Sequence, residues 1–165
     1  LEIAILIGES LTSVSEVQSL KAISAVGIGL DLTLRDLQSK LKSKGQPWEK
    51  AKNFDGSCPL SDFVDINYFM TNLSRDKNGD LKSTLNNIDF ELIKNNQLVQ
   101  KGNTQDMIFG FSLLISDVSK HFTLYPGDVI LTGTPEGVAE LKDFDKISAS
   151  INGVELANAE VKGKK

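Results

Sequence analysis

The stretch LDLTLRDLQ, residues 30–38, marks where an apolar strand hands over to a helix. Residues 25–32 are apolar enough for a buried strand. Thr33 with Asp36 forms a capping-box pattern, which predicts a helix start just after Asp31. In such a helix Asp31, Arg35 and Gln38 stand at i, i+4 and i+7, so a carboxylate, a guanidinium and an amide would project toward one side. Residues 41–46 close the helix, with Gly45 as its stop.

Outward from that junction, residues 2–8 are short and β-branched, a strand bounded by Gly8. Residues 12–23 carry Val14, Val17, Leu20 and Ile23 at helical spacing, a short helix. Downstream the pattern turns mostly β: residues 63–66, then 89–94 and 97–101 as a hairpin turning at Asn95 and Asn96. A helical face over 107–120 follows, built of Ile108, Phe111, Leu114, Ile115 and Val118. Pro126, Gly127 and Asp128 then turn the chain into a buried strand at 129–132, and 146–156 reads as a hairpin around Asn152-Gly153. Residues 72–87, polar and holding Asn78-Gly79, read as an exposed loop. With no repeat and no low-complexity segment, this is an α+β, strand-rich pattern.

At 165 residues the chain suits one domain with a real core. Its 40% hydrophobic and 24% charged residues are those of an ordinary globular protein. A net charge of -4 gives no general reason to bind nucleic acid, which needs clustered Lys and Arg. Lys162, Lys164 and Lys165 look basic and read as a frayed tail. The one cysteine, Cys58, builds neither a disulfide framework nor a thiolate zinc site, so a reducing, cytoplasmic setting is the simplest expectation. No apolar run approaches a bilayer's width, and the opening LEIAILIGES lacks a basic leader and a cleavage site.

Three motifs in this order carry a family resemblance: residues 30–38 with WEKAKNFDGSCPL (48–60), then NNQLVQKGNTQDMIF (95–109), then LYPGDVILTGTPEGV (124–138). Together they resemble the fumarylacetoacetate hydrolase family, nearest its short acylpyruvate-hydrolase-like members, over nearly the whole chain. The resemblance implies a rolled, mixed β-sheet of the family's C-terminal type with short helices, and a single catalytic domain over 1–165. In the family a Glu-x-Glu pair on an early strand and an Asp before the short helix bind a divalent metal. Glu2 matches the second Glu and Asp31 the Asp; the first Glu, and a His and Glu that activate water, would lie upstream, so the domain is expected to lack its N-terminal segment. Residues 72–87 are longer than in those members.

The resemblance further implies that Arg35, Gln38 and Lys52 surround an α-keto acid, and that Gly133 and Thr134 of the TGTP turn reach its carboxylate. Gln100, Asn103, Thr104 and Asp106 would border the cleft. An arginine fork or an ammonium beside a forming enolate stabilises its charge. All-oxygen ligands favour Mg2+ or Mn2+ over zinc. The implied activity is metal-dependent hydrolysis of acylpyruvates, cleaving a 1,3-dicarbonyl to pyruvate and a carboxylate. Oxaloacetate decarboxylation or enol-keto tautomerisation shares the enolate and is one alternative; a catalytically silent dimer or binding module is another. The expected partners are a small β-diketo acid and, as in relatives, a second copy in a homodimer, with neither nucleic acid nor membrane.

Blander readings stand beside these. Glu2 is an exposed end residue, Arg35 and Asp36 belong to a solvated helix face, and Gly with Pro after a strand marks any turn. His121 reads as a surface or cap residue, Cys58 as small and buried, and Trp48 as packed beside the Lys52 loop.

Overall fold

A computed structural model describes residues 1–75 and 78–163. Lys164 and Lys165 of the expected basic tail, and Asp76 and Lys77 of the polar segment, lie outside the described residues. The α+β, strand-rich architecture is present as two four-stranded sheets with short helices between the strands.

In the first half, β1 (Glu2–Ile7) leads through α1 (Glu16–Lys21) to β2 (Ile23–Gly29). Then come α2 (Arg35–Ser43), α3 (Glu49–Lys52), the two-residue β3 (Val64–Asp65) and α4 (Ile66–Tyr68). The second half runs α5 (Leu81–Leu85), β4 (Asp89–Lys94), β5 (Gln97–Asn103), α6 (Phe111–His121), β6 (Val129–Leu131), β7 (Lys146–Ile151) and β8 (Val154–Glu160). The first sheet has the order β3-β2-β1-β6 and the second β5-β4-β7-β8, with antiparallel pairings throughout.

The continuous apolar run of β1 is explained by its interior place. Ile3, Ala4 and Ile5 are all buried, so both faces are covered. Ile3 and Ile5, with Val26 and Ile28 opposite them, join Phe90, Leu92, Ile147 and Ile151 of the second sheet in one core. Each such side chain contributes about 1.5–3 kcal/mol on burial. Asn95 and Asn96, at φ 50° and 65°, make the expected tight turn, as Asn152 and Gly153 do at 48° and 81°.

Several expectations need correction. The capping box at Thr33 and Asp36 does not form: α2 begins only at Arg35, has no side-chain cap, and Thr33 Oγ1 turns back to donate to the Asp31 carbonyl. Leu30 and Leu32 leave the sheet because their N–H groups donate to Pro59 and Ser57 carbonyls of a crossing loop, at 3.0 and 2.8 Å. Residues 72–87 are not merely a loop. Asp80 caps α5 by accepting from the Ser83 N–H at 2.7 Å, and that helix buries Thr84 and Leu85. The helix expected over 12–23 shrinks to α1, because Ser15 and Gln18 form a reciprocal capping box; Val17 is exposed. The 107–120 helix starts at Phe111, leaving Ile108 91% exposed. The strand near 129–132 is half-buried, as suits an edge.

Candidate active site at one end of the first sheet

Antiparallel pairing on both sides of β1 brings three chain segments to one end of the sheet. Glu2 opens β1 opposite Gly29, near the end of β2, while Ala4 pairs with Leu131 at the end of β6. The residues after β2 and after β6 therefore emerge beside Glu2. Thr132 continues along β1, donating through both its N–H (3.2 Å) and its hydroxyl (2.9 Å) to the Ile3 carbonyl. The Gly133 N–H then donates to Glu2 Oε2 at 2.7 Å. Gly133 takes φ +98°, a left-handed conformation that glycine adopts without strain.

Glu2 is thus not the exposed end residue of the bland reading: it is 8% exposed. Asp31 stands past β2 and forms an ion pair with Lys52, the last residue of α3, both side chains remaining about a third exposed. Burial lowers the pKa of the Leu1 amino group, against which the charges of Glu2 and then Asp31 raise it. Both also act on the Cys58 thiol, whose pKa is pushed up first by burial of its sulfur and then by Asp31 and Glu2.

The expected convergence of Asp31, Arg35 and Gln38 on one helix face is corrected by the late start of α2. Asp31 precedes the helix and is held by Lys52, whereas Arg35 Nη1 donates to Gln38 Oε1 at 3.2 Å on an exposed first turn. Among the described residues no hydrogen bond joins that pair to Glu2, Asp31 or Lys52. The two groups are linked through backbone, by Leu34 N–H donating to the Ala51 carbonyl at 3.0 Å.

Thr134 is exposed, and its hydroxyl accepts from Gln100 Nε2 at 2.9 Å. Gln100, only 4% exposed, also donates to the Pro135 carbonyl at 3.2 Å and accepts from the Leu1 amino group at 2.9 Å. Sequence gives little sign of this hub beyond its place in the second motif. Asn103 and Thr104 serve the scaffold: Asn103 donates to Asp89, and Thr104 donates to the Leu85 carbonyl and accepts from the Ile88 N–H. His121 is an exposed residue in the last turn of α6, as expected. Cys58 is exposed rather than buried, and Trp48 is 45% exposed with Lys42 Nζ 5.9 Å from its ring centre, so neither is core.

For a divalent cation, the candidate donors would be two carboxylates, Glu2 and Asp31. Among the described residues no group of three or more His, Cys, Asp or Glu could hold a metal ion. Mg2+ is ordinarily held by one or two carboxylates with waters and substrate oxygens completing the shell, so this donor set fits a hard cation. No helix is long and apolar enough to cross a membrane among the described residues.

Residues 1–162 match the fumarylacetoacetate (FAA) hydrolase C-terminal model, and the chain belongs to that family. An Escherichia coli K12 relative, oxaloacetate tautomerase YcgM, is 45% identical over 155 residues, covering 94% of this chain and 65% of its own length. The chain thus spans somewhat less than two thirds of that relative. A crystal structure of a fumarylacetoacetate hydrolase family protein from Yersinia pestis superposes with a TM-score of 0.85 at 43% identity, covering 98% of this chain and 68% of that one. Fumarylpyruvate hydrolase from Pseudomonas aeruginosa, solved with Mn2+ and pyruvate, gives 0.79 at 28% identity, covering 94% and 61%.

Proposed function

We propose that this chain carries the catalytic unit of a divalent-metal enzyme that interconverts the enol and keto forms of oxaloacetate or a closely similar 2-keto acid. The observation that carries the reading is the Lys52–Asp31 ion pair beside buried Glu2 at the mouth formed by β1, β2 and the turn after β6. Support for tautomerisation over hydrolysis comes from the E. coli relative, which bears the tautomerase name at 45% identity. The acylpyruvate hydrolysis expected from sequence is the second reading, favoured by the P. aeruginosa hydrolase at 28%.

Glu2 and Asp31 would hold Mg2+ or Mn2+, which when bound polarises the substrate's keto oxygen. Gly133, through the backbone bond to Glu2, fixes that carboxylate. Thr134 would donate to the substrate's carboxylate, and the ammonium of Lys52 would meet the negative charge that develops on the C2 oxygen as the C3 proton leaves. Keto and enol forms are isomers, so one proton moves from carbon to oxygen and no water is consumed. Arg35 and Gln38, on their exposed turn, would grip the far carboxylate. A homodimer and a cytoplasmic setting belong to the same proposal.

The test is an ultraviolet assay of enol–keto conversion of oxaloacetate by the native protein, with Mg2+ and with chelator, beside an assay of pyruvate release from acetylpyruvate. Metal-dependent interconversion of oxaloacetate supports the tautomerase. Release from acetylpyruvate alone transfers the assignment to the hydrolase, and silence on both leaves a binding module.

A further inference from the structure

Gln100 lies outside the residues that would touch substrate, yet it is the best-buried polar side chain facing the turn that would. Its two ends are fixed by partners of unambiguous character. The Leu1 nitrogen donates to Oε1 at 2.9 Å; the Pro135 carbonyl can only accept, which holds Nε2 toward it at 3.2 Å. The amide is therefore not free to flip. The same Nε2, a group with donors and no acceptor, lies 2.9 Å from Thr134 Oγ1, so that oxygen must be the acceptor. Thr134 has one hydroxyl proton, and with Gln100 occupying a lone pair the proton is directed away, toward the exposed side of the turn.

We infer that Gln100 is a positioning residue that turns the Thr134 hydroxyl proton outward, so that it donates to an anionic oxygen of the substrate. The inference rests on the keto-acid reading above and deepens it. Its chemical consequence is a site that favours a carboxylate or enolate oxygen at this position over a group that can only donate, such as an amide N–H. The carbonyls of Pro135 and Glu136, at 3.2 and 3.5 Å from Nε2, anchor the turn to the same side chain, so position and polarity are set together.

The test uses the native protein loaded with Mn2+ and oxalate as a stable, planar mimic of a 2-keto acid enolate, with binding measured by calorimetry. Gln100→Glu is nearly isosteric but presents only acceptors at neutral pH, which would draw the Thr134 proton inward. Oxalate affinity is expected to fall about ten- to hundred-fold, the worth of one hydrogen bond to a charged group. Lowering the pH until the new carboxyl protonates should restore part of the loss, because a protonated carboxyl can again donate to Thr134. Thr134→Val should match the loss, Thr134→Ser, which restores a hydroxyl, should recover most of what Thr134→Val loses, and the Gln100→Glu/Thr134→Val pair should lose no more than either alone. Gln100→Met, which removes the donor without adding an acceptor, should fall between parent and Gln100→Glu.

The inference is overturned if Gln100→Glu binds oxalate within about two-fold of the parent, if its loss is insensitive to pH, or if the two losses multiply. A loss that follows the melting temperature equally in the Met and Glu variants would likewise reduce Gln100 to scaffold and overturn it. A parent that fails to bind oxalate removes the keto-acid reading and this inference together. A parent that binds and turns over oxaloacetate, with Gln100 variants unchanged, removes the inference alone.

Discussion

Replacing Lys52 with methionine separates a functional role from a structural one because the structure bounds its cost to the fold. The Lys52 and Asp31 side chains are 30% and 35% exposed, so their ion pair is screened by solvent and contributes about 0.2–1 kcal/mol to stability. Methionine keeps the length of the stem, and Ala51, the buried residue of the same short helix, is untouched. The melting temperature should therefore fall by at most about 4 °C, the shift that 1 kcal/mol produces in a chain of this size. Turnover should fall far more, about 10²–10³-fold, the usual cost of removing one donor aimed at a developing oxyanion. The measurements are a thermal melt and steady-state enol–keto conversion of oxaloacetate on the same preparation. Full turnover in the variant would refute the assignment of Lys52. A loss of activity that merely tracks a stability loss above about 2 kcal/mol would refute the premise that the pair is solvent-screened.

Other outcomes follow from particular contacts. Glu2→Gln and Asp31→Asn should each weaken Mn2+ binding in a calorimetric titration while leaving the far-ultraviolet circular dichroism unchanged, since each removes a charged donor without changing side-chain volume. Gly137→Ala should undock the turn bearing Thr134: Gly137 sits at φ +96°, and a methyl there would collide with the Val99 carbonyl oxygen. A local cost of about 1–3 kcal/mol, with a raised KM for oxaloacetate, is expected. Ile5→Ala, in a side chain that is fully buried, should lower the unfolding free energy by about 2–5 kcal/mol in urea titrations.

Asp145 supplies a pH dependence. Its pKa is lowered first by the Lys142 N–H bonding Oδ2 at 2.8 Å and then by Asn95 Nδ2 at 2.7 Å. A depressed folded-state value means that its contribution is present above the unfolded-state pKa and is lost as pH falls through the folded-state value. Asp145→Asn should therefore be less stable than the parent at neutral pH, with the gap closing in acid. A constant gap across urea midpoints from about pH 7 to about pH 2 would contradict this.

Local chemistry was enough for much of the chain. The run at residues 2–8, short, β-branched and bounded by Gly8, reads as a strand, and Asn95-Asn96 and Asn152-Gly153 name their own turns, because positive φ costs these residues little. Ser15 with Gln18 and Asp80 before Leu81 were equally local signals, hidden because polar residues at a helix start look like loop. The motifs also pointed to Glu2, Asp31, Lys52, Gly133 and Thr134 as one group. What the sequence by itself could not determine was how that group meets. Helical spacing put Asp31 with Arg35 and Gln38, but a spacing argument holds only inside a helix, and α2 opens four residues past Asp31. The segment leading into it is tied by backbone bonds from Leu30, Leu32 and Leu34 to the distant residues 59, 57 and 51, which no local pattern encodes. The pairing of β1 with both β2 and β6 then brought Glu2 to Gly133 across 131 positions of sequence, and a buried glutamine from a different sheet oriented Thr134. Residue types and local turns follow from nearest-neighbour energetics; the direction in which each donor points depends on strand register and long-range hydrogen bonds, which exist only once the sheets have formed.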